Sequence, residues 1–259
     1  MDLFAFAPLA ALLNGAYAAV QALVSLLTPI TGELAAAAAI VVLTLLVRAL
    51  LIPVGVSQVK AEGTRRRLAP KLQALRVRYG KNPQLLAQKT QELYKAENAS
   101  PFAGILPALA QLPVIGLVYA LFERGAIGGH PNALLSRELF GVPLGDSFLH
   151  LLGGGAAWPG ALVYLALFAT MAAVAWFTRR TQLRLAVPDP GAAAATATLT
   201  RVLSWLPFLT IVFAAVVPLA ATLYLTVTTA WTLVERALLR RALWSEGTAG
   251  TGRLRGAEA

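Results

Sequence analysis

Long apolar runs separated by short polar segments are the dominant pattern along this chain. A helix needs about 20 apolar residues to cross a bilayer, and five runs approach that length. They predict transmembrane helices over residues 34–56, 101–122, 158–178, 202–217 and 219–239. The last two come from one apolar run that is too long for a single crossing, and Pro218 divides it at a tight turn in VVPLA.

Residues 1–33 precede the first predicted span and contain no Lys or Arg. The stretch NGAYAAVQALVSLLTPIT, residues 14–31, favours a helix that lies on the outer membrane interface and ends near Pro29 and Gly32. An additional transmembrane helix is the alternative, but it would disturb the charge alternation described below. The segment lacks the positive start of a signal peptide, so we expect no cleaved signal.

An amphipathic pattern replaces the apolar one over residues 57–100. Its first half carries an apolar stripe at helical spacing, formed by Leu68, Leu72, Leu75 and Tyr79. GKNP at 80–83 interrupts this pattern, and a second helix then carries Leu86 and Leu93 on one face. The segment is predicted to be an antiparallel helical hairpin that stands off the membrane.

Composition agrees with a membrane protein. Hydrophobic residues make up 58% of the 259 positions and charged residues 13%, which is more apolar surface than one globular core needs. The chain contains no cysteine, which excludes disulfides and thiolate metal sites. The predicted fold class is therefore an all-α polytopic membrane protein with five transmembrane helices, an outer interfacial helix and a cytoplasmic helical hairpin.

The net charge of +10 is distributed unevenly between the predicted spans. Basic residues outnumber acidic ones by ten to three in 57–100, by four to one in 179–201 and by five to three beyond Val234. Residues 1–33 contain no basic residue, and 123–157 contain two against three acids. Because basic loops stay in the cytoplasm, the N-terminus and the 123–157 loop are predicted outside. The hairpin, the 179–201 loop and the basic tail 240–259 are predicted inside.

The basic residues of the hairpin form a candidate recruitment surface, made of Lys60, Arg65, Arg66, Arg67, Lys71, Arg76, Arg78, Lys81, Lys89 and Lys95. Two interpretations stay open. These residues could fix the topology and lie against anionic membrane lipid, at about 1 kcal/mol each near the surface. They could also bind a polyanionic partner such as ribosomal RNA through its phosphates. No spacing in the segment indicates base-specific reading of nucleic acid.

Arg48 interrupts the first predicted span, in VVLTLLVRALLIPV. Its side chain could reach the cytoplasmic interface near Pro53, which would avoid most of the cost of a buried charge. Alternatively, it lies in a water-filled recess. The recess is supported by Thr44 one turn earlier, by Gln111 in the second span, and by a set of polar residues in the last span: Thr222, Tyr224, Thr226, Thr228, Thr229 and Thr232. In that case Arg48 would attract negative charge on a passing substrate.

Catalytic and metal-binding patterns are weak. His130 and His150 both fall in the outer loop without neighbouring ligands at metal-binding spacing, and there is neither a nucleophile elbow nor a glycine-rich phosphate loop. We therefore expect no catalytic residue, no metal and no cofactor.

Ordered motifs over residues 34–241 resemble the YidC-type membrane protein insertases of the Oxa/Alb superfamily. They are the arginine followed by LLIP in the first span, SQVKAEGTRRRLAPKLQALRVRYGKNP with LAQKTQELYK in the hairpin, SPFAGILPALAQLPVIGLVYALF in the second span, and WLPFLTIVFAAVVPLAATLYLTVTTAW at the end. Ser100, Ile105 and Thr229 depart from the residues frequent in the family, and none of these departures removes a groove charge. The chain resembles the shorter bacterial members.

The resemblance implies a groove that is open to the cytoplasm and to lipid and sealed on the outer side. Arg48 matches the groove arginine, while Thr44, Gln111, Tyr224 and Trp205 match lining or flanking positions. The implied partners are nascent membrane proteins and lipids in the bacterial plasma membrane. The ribosome, the signal recognition particle pathway and the Sec translocon are possible further partners.

Two other functions compete with insertion. The first is a small transporter or channel in which Arg48 is an anion site, although the inverted repeats frequent in transporters are missing from the sequence. The second is a scaffold that anchors ribosomes through its basic hairpin.

Overall fold

The computed structural model describes residues 7–100, 102–103, 105–154, 158–185, 198 and 201–255, with the side chains at 105–108, 110 and 245–255 excepted. The predicted 179–201 loop and 240–259 tail lie partly outside the described residues. Nine α-helices make up most of this part of the chain: α1 (Ala7–Thr31), α2 (Ala35–Leu50), α3 (Ile52–Tyr79), α4 (Pro83–Ala96), α5 (Ile105–Glu123), α6 (Phe148–Gly153), α7 (Trp158–Leu185), α8 (Leu206–Ala214) and α9 (Leu219–Arg255).

Contacts divide the chain into two compact units. The first unit comprises Met1–Leu50, Leu112–Arg179 and Trp205–Thr232. The second comprises Leu51–Gln111, Arg180–Ser204 and Leu233–Ala259. The helices α5, α7 and α9 each contribute residues to both units.

The core of the first unit is built from apolar side chains of the helices and of the loop between α5 and α7. Its largest fully buried side chains include Tyr164, Phe122 and Ile40. Helix α1 packs against α2 after a short 3₁₀ turn, Gly32–Leu34. Gly32 has a φ of +56°, a backbone conformation that side chains other than glycine rarely adopt.

Four two-residue strands lie in the loop after α5. Strand β1 (Ala126–Ile127) pairs antiparallel with β2 (His130–Pro131), and β3 (Glu138–Leu139) pairs antiparallel with β4 (Val142–Pro143). Five apolar side chains of this loop are buried, which the sequence analysis did not predict: Ile127, Leu134, Leu139, Val142 and Leu144.

The second unit contains the helical hairpin and the end of α9. Helix α3 ends at Tyr79 and α4 begins at Pro83, with Asn82 accepting a hydrogen bond from the Leu85 amide as an N-cap. On the apolar stripe of α3, Leu68 is fully buried, and Leu72, Leu75 and Tyr79 are partly buried. Helix α9 continues as one helix to Arg255 instead of ending with the apolar run.

Among the described residues, two helical stretches are long and apolar enough to cross a bilayer, Ala7–Leu50 and Trp158–Leu185. Two shorter apolar helices are Gln111–Glu123 and Arg201–Ala214. The number of five spans and their boundaries remain predictions. Helix α1, at about 37 Å for its 25 residues, has a length that suits the interfacial and the spanning alternatives equally.

Candidate functional site

Arg48 lies in the last turn of α2, two residues before that helix ends. The sequence pattern had suggested an uninterrupted helix around it, but the chain turns at Leu51, whose φ and ψ are −90° and 0°. A cation in the last turn interacts favourably with the helix dipole. The Arg48 side chain is half-buried, while Leu46 and Leu50 beside it are 53% and 79% exposed. The charge is therefore flanked on α2 by exposed leucines.

Thr44 lies one turn before Arg48 and on the same face of α2. Its side chain is 1% exposed, and its hydroxyl donates a hydrogen bond of 2.6 Å to the Ile40 carbonyl. The hydroxyl is therefore satisfied by its own helix. Thr44 contributes to the core of the first unit more than to an open surface.

Three threonines of α9 also have hydroxyls that are satisfied by their own helix. The hydroxyls of Thr226, Thr229 and Thr232 each donate to the carbonyl four residues earlier, at 2.8 Å. Thr228 differs, because its hydroxyl oxygen is buried without a hydrogen-bond partner among the described residues. The Thr222 hydroxyl donates to the Ala214 carbonyl at 2.8 Å. Among the α9 threonines whose side chains the structure describes, Thr228 is thus the one whose hydroxyl a polar ligand or water would satisfy.

Tyr224 and Trp205 have aromatic partners of their own. Tyr224 is 4% exposed, and its ring centroid lies 5.9 Å from that of Phe122. Trp205 is 50% exposed and packs against Phe208 at 5.1 Å. The guanidinium of Arg179 lies 4.1 Å from the Trp205 ring centroid, a cation–π contact that the sequence pattern gave no reason to expect.

Of the five predicted groove residues, the structure brings Thr44 and Arg48 together on one helix face. Tyr224 and Trp205 belong to the same unit. Gln111 is half-buried on α5 and belongs to the second unit. Their assembly into one groove stays a prediction.

The outer loop is joined to the turn between α8 and α9 by backbone hydrogen bonds. The amides of Leu219 and Ala220 donate to the carbonyls of Asp146 and Leu144, at 2.7 and 2.9 Å. These are the first amides of α9, which have no partner inside their own helix. The Tyr164 hydroxyl also donates to the Asp146 carbonyl, at 2.6 Å. The first unit is therefore closed at this end by bonds that the sequence reasoning missed.

Asn132 joins the same loop to the end of α5. It is 4% exposed, and its Nδ2 donates to the carbonyls of Leu121 and Arg124, both at 3.0 Å. Its Oδ1 accepts from the Leu134 amide at 3.1 Å. The Tyr17 hydroxyl accepts from the Ala133 amide, which links the loop to α1.

The ten predicted recruitment residues lie on the hairpin. Nine of them are exposed, and Lys89 is partly buried. Glu97 pairs with Arg67 at 3.3 Å and with Lys71. The hydrogen bond from Lys71, followed by the nearby positive charges, lowers the pKa of Glu97 below its ordinary value. Because a single carboxylate, that of Glu97, pairs with two cations, it neutralises only one of their two charges and the hairpin surface stays strongly basic.

A parallel pairing of α3 with α9 supports the base of the hairpin. Arg236 donates to Gln58 at 3.4 Å, and Arg240 donates to Glu62 through Nη2 at 3.0 Å and Nε at 3.3 Å. One turn further, the Arg66 guanidinium lies 4.8 Å from the Trp244 ring centroid. Both members of each successive pair advance by one helical turn, so the two helices run in the same direction.

No group of three or more metal-ligating side chains occurs in the part of the chain that the structure describes. The described residues offer two electrostatic features: the half-buried Arg48 beside exposed leucines and the strongly basic hairpin.

The family model for the 60Kd inner membrane protein matches residues 26–246. Among curated relatives, a membrane protein insertase YidC of Aeromonas hydrophila is 40% identical over 123 residues, which cover 46% of this chain and 22% of the relative. That of Aeromonas salmonicida is 38% identical over the same lengths. That of Paraburkholderia phymatum is 37% identical over 102 residues, which cover 39% of this chain and 18% of the relative. The aligned part thus spans about a fifth of these relatives.

The helices and the family match together define an all-α membrane protein, which confirms the predicted fold class. Because the family model covers most of the chain, the chain belongs to the 60Kd inner membrane protein family, and the resemblance to YidC-type insertases is confirmed.

Proposed function

We propose that this protein is a membrane protein insertase, which receives nascent membrane segments and releases their apolar helices into the bilayer. The observation that carries the proposal is the family match over residues 26–246, together with relatives that bear the name membrane protein insertase. Neither name denotes a catalysed reaction. Insertion can instead be driven by burial of an apolar helix in lipid and by the membrane potential, at about 2.3 kcal/mol per unit charge per 100 mV.

Arg48 is the residue that we assign to substrate attraction in a hydrophilic groove. Its guanidinium stays charged at any physiological pH, and it is half-buried beside exposed leucines at the end of α2. A fixed positive charge at such a depth attracts acidic or polar parts of a substrate tail. It thereby shortens the distance over which those parts meet hydrocarbon.

The parallel pairing of α3 and α9 supports the proposed orientation. Two helices that run in the same direction and pair side by side carry the hairpin and the C-terminal end of α9 to the same side. The positive charge of both segments favours the cytoplasm. The N-terminus and the outer loop are poor in basic residues, and we assign them to the outside. There the hydrogen bonds that the first amides of α9 donate to Leu144 and Asp146 would seal the groove.

The basic hairpin is assigned to recruitment. Its exposed Lys and Arg side chains offer contacts to phosphates or to acidic protein surfaces without base-specific reading. The ribosome, through the phosphates of its RNA, is the partner that we assign to this surface.

Reconstitution in liposomes tests the proposal. The substrate is a single-span client with an acidic tail, and protease protection reports its insertion. We expect insertion by the wild type, near-normal insertion by Arg48→Lys, and about tenfold less by Arg48→Ala, since a partly buried charge pair contributes roughly 1–2 kcal/mol. Arg137→Ala, which removes an exposed arginine of the outer loop, is the matched control and should insert normally.

The possible outcomes separate the competing functions. Absence of insertion by the wild type would refute the insertase. Normal insertion by Arg48→Ala would refute the role of Arg48 while leaving the insertase standing. An anion transporter predicts anion flux without client insertion. A ribosome scaffold predicts that function is lost when the hairpin is removed but not in Arg48→Ala.

A further inference from the structure

A cavity of about 600 Å³ lies at the base of the hairpin, between the start of α3 and the segment that joins α4 to α5. Its volume is in the range of roughly 300–1,000 Å³ that is usual for small-molecule sites. Three cationic side chains line it, Lys60, Arg65 and Arg67, against one carboxylate, Glu97. The excess of positive charge favours an anionic ligand.

The cavity is apolar at one end and polar at the other. Pro53 and Val56 line it close to the end of the first predicted span, and Ala103 lines it close to the start of the second. Lys60 follows Val56 by one helical turn, about 6 Å along the axis. In a membrane protein this level corresponds to lipid headgroups, with hydrocarbon on the side of Val56 and water on the side of the hairpin.

The polar groups of the cavity suit a phosphate. The carboxylate of Glu97 is held by Arg67 and Lys71, whereas Lys60 forms no ion pair with any residue that the structure describes. The hydroxyls of Ser57 and Thr64 lie on the same wall of the cavity as Lys60. Lys60 and Arg67, with the adjacent hydroxyl donors, complement the negative charge and the acceptor oxygens of a phosphodiester.

We propose that this cavity binds the phosphate of an anionic phospholipid headgroup. Lys60 and Arg67 contact the phosphate, the hydroxyls of Ser57 and Thr64 bind the polar headgroup, and the acyl chains leave past Pro53 and Val56 into the bilayer. None of the cavity's lining residues is among the predicted groove residues, and the proposal does not depend on the insertase activity.

Native mass spectrometry of the full chain in detergent tests the site, with dioleoylphosphatidylglycerol as the probe and dioleoylphosphatidylcholine as the neutral comparison. Each interfacial cation strengthens binding of anionic lipid by about fivefold. We therefore expect the double variant Lys60→Gln/Arg67→Gln to bind the first phosphatidylglycerol about 25-fold more weakly. Lys60→Arg should retain most of the affinity, and circular dichroism should show that all variants are folded.

The matched control is Arg78→Gln/Lys81→Gln, which removes the same two residue types from the exposed tip of the hairpin, outside the cavity. We expect it to change the affinity by less than twofold. Equal losses in the two double variants would show diffuse charge attraction and would overturn the site, as would an unchanged affinity in Lys60→Gln/Arg67→Gln.

A soluble phosphate compound carries the same phosphate group as the lipid headgroup and is the alternative ligand for the cavity. Glycerol 3-phosphate, added as a competitor, should displace phosphatidylglycerol only at concentrations far above those of the lipid, because it lacks the acyl chains. Displacement at equal concentration would overturn the assignment to a lipid.

Discussion

The ion pair between Glu62 and Arg240 is predicted to stabilise the base of the hairpin by a measurable coupling energy. The Glu62 and Arg240 side chains are 31% and 16% exposed. Exposed pairs contribute about 0–1 kcal/mol, and loss of one partner from a fully buried pair costs about 3–5 kcal/mol. Since both donor nitrogens of Arg240 bind the same carboxylate oxygen, the geometry is not the stronger two-oxygen arrangement. We expect a coupling of about 1.4 kcal/mol, which is a factor of about ten.

Hydrogen exchange of the α3 amides at 58–66 measures this coupling, in the full chain reconstituted in lipid nanodiscs. Glu62→Gln and Arg240→Gln should each speed exchange, because local opening then costs less free energy. Glu62→Gln should have the larger effect, since it leaves the more buried partner without its carboxylate. The double variant should exchange about tenfold more slowly than the product of the two single effects.

The pair of Lys89 and Glu92 on α4 is the matched control, because its side chains are more exposed, at 36% and 49%. Solvent screens this pair, so its coupling energy should be smaller and its two single effects on exchange should nearly multiply. If the effects of Glu62→Gln and Arg240→Gln on exchange also multiplied in the double variant, the argument that partial burial makes this pair different would be refuted. It would also remove the ion pair from the forces that align α3 with α9.

Three further predictions concern the outer loop, the hairpin and the α3–α9 contact. Asn132→Ala should destabilise the first unit by about 2–4 kcal/mol, because it leaves two carbonyls and one amide without their buried partner; chemical unfolding in detergent measures this. The pKa of Glu97 is lowered in the fold, chiefly by the hydrogen bond from Lys71. The stability it provides is therefore present above its unfolded pKa and is lost as the pH falls through its lower folded pKa. Spin labels on α3 and α4 should show a broader distance distribution once the pH falls below the folded pKa of Glu97, which is lower than the ordinary glutamate value of about 4.3. Gly63→Ala should fail to stabilise α3, because its Cβ would lie 2.9 Å from Trp244 Nε1; hydrogen exchange measures the effect.

Each of these predictions has a control in the same chain. Asn82→Ala removes an exposed N-cap and should cost only about 1 kcal/mol. Glu97→Gln should abolish the pH dependence of the hairpin distances, and persistence of that dependence would contradict the role of Glu97. Gly116→Ala has no atom within 4 Å of the new Cβ, and it should gain stability by up to about 1 kcal/mol. Equal gains at Gly63 and Gly116 would contradict the close packing of Trp244.

The structure places the predicted site residues in different surroundings, and their assembly into one site stays a prediction. Arg48 stood out because a charge within an apolar run is a local feature of the sequence. The helix end two residues after Arg48 was missed because the apolar run continues across the turn at Leu51, although Pro53 is a typical residue for the start of a new helix. Trp205 was predicted as a lining residue, but its partner Arg179 is 26 positions away, and no periodicity links two such residues.

The sequence by itself determined the membrane class, the hairpin and the family. The membrane class depends on composition, the hairpin on helical periodicity, and the family on ordered motifs. Each of these patterns can be read along the chain without knowledge of distant contacts. Tertiary structure alone decided the closure of the first unit by the outer loop and the parallel pairing of α3 with α9. In those features the amides of Leu219 and Ala220 reach carbonyls more than 70 positions away, and Arg240 reaches Glu62 across 178. Such contacts form because polar groups at helix ends and on helix surfaces bind whichever partner the fold brings near them. The identity of that partner leaves no local pattern in the sequence.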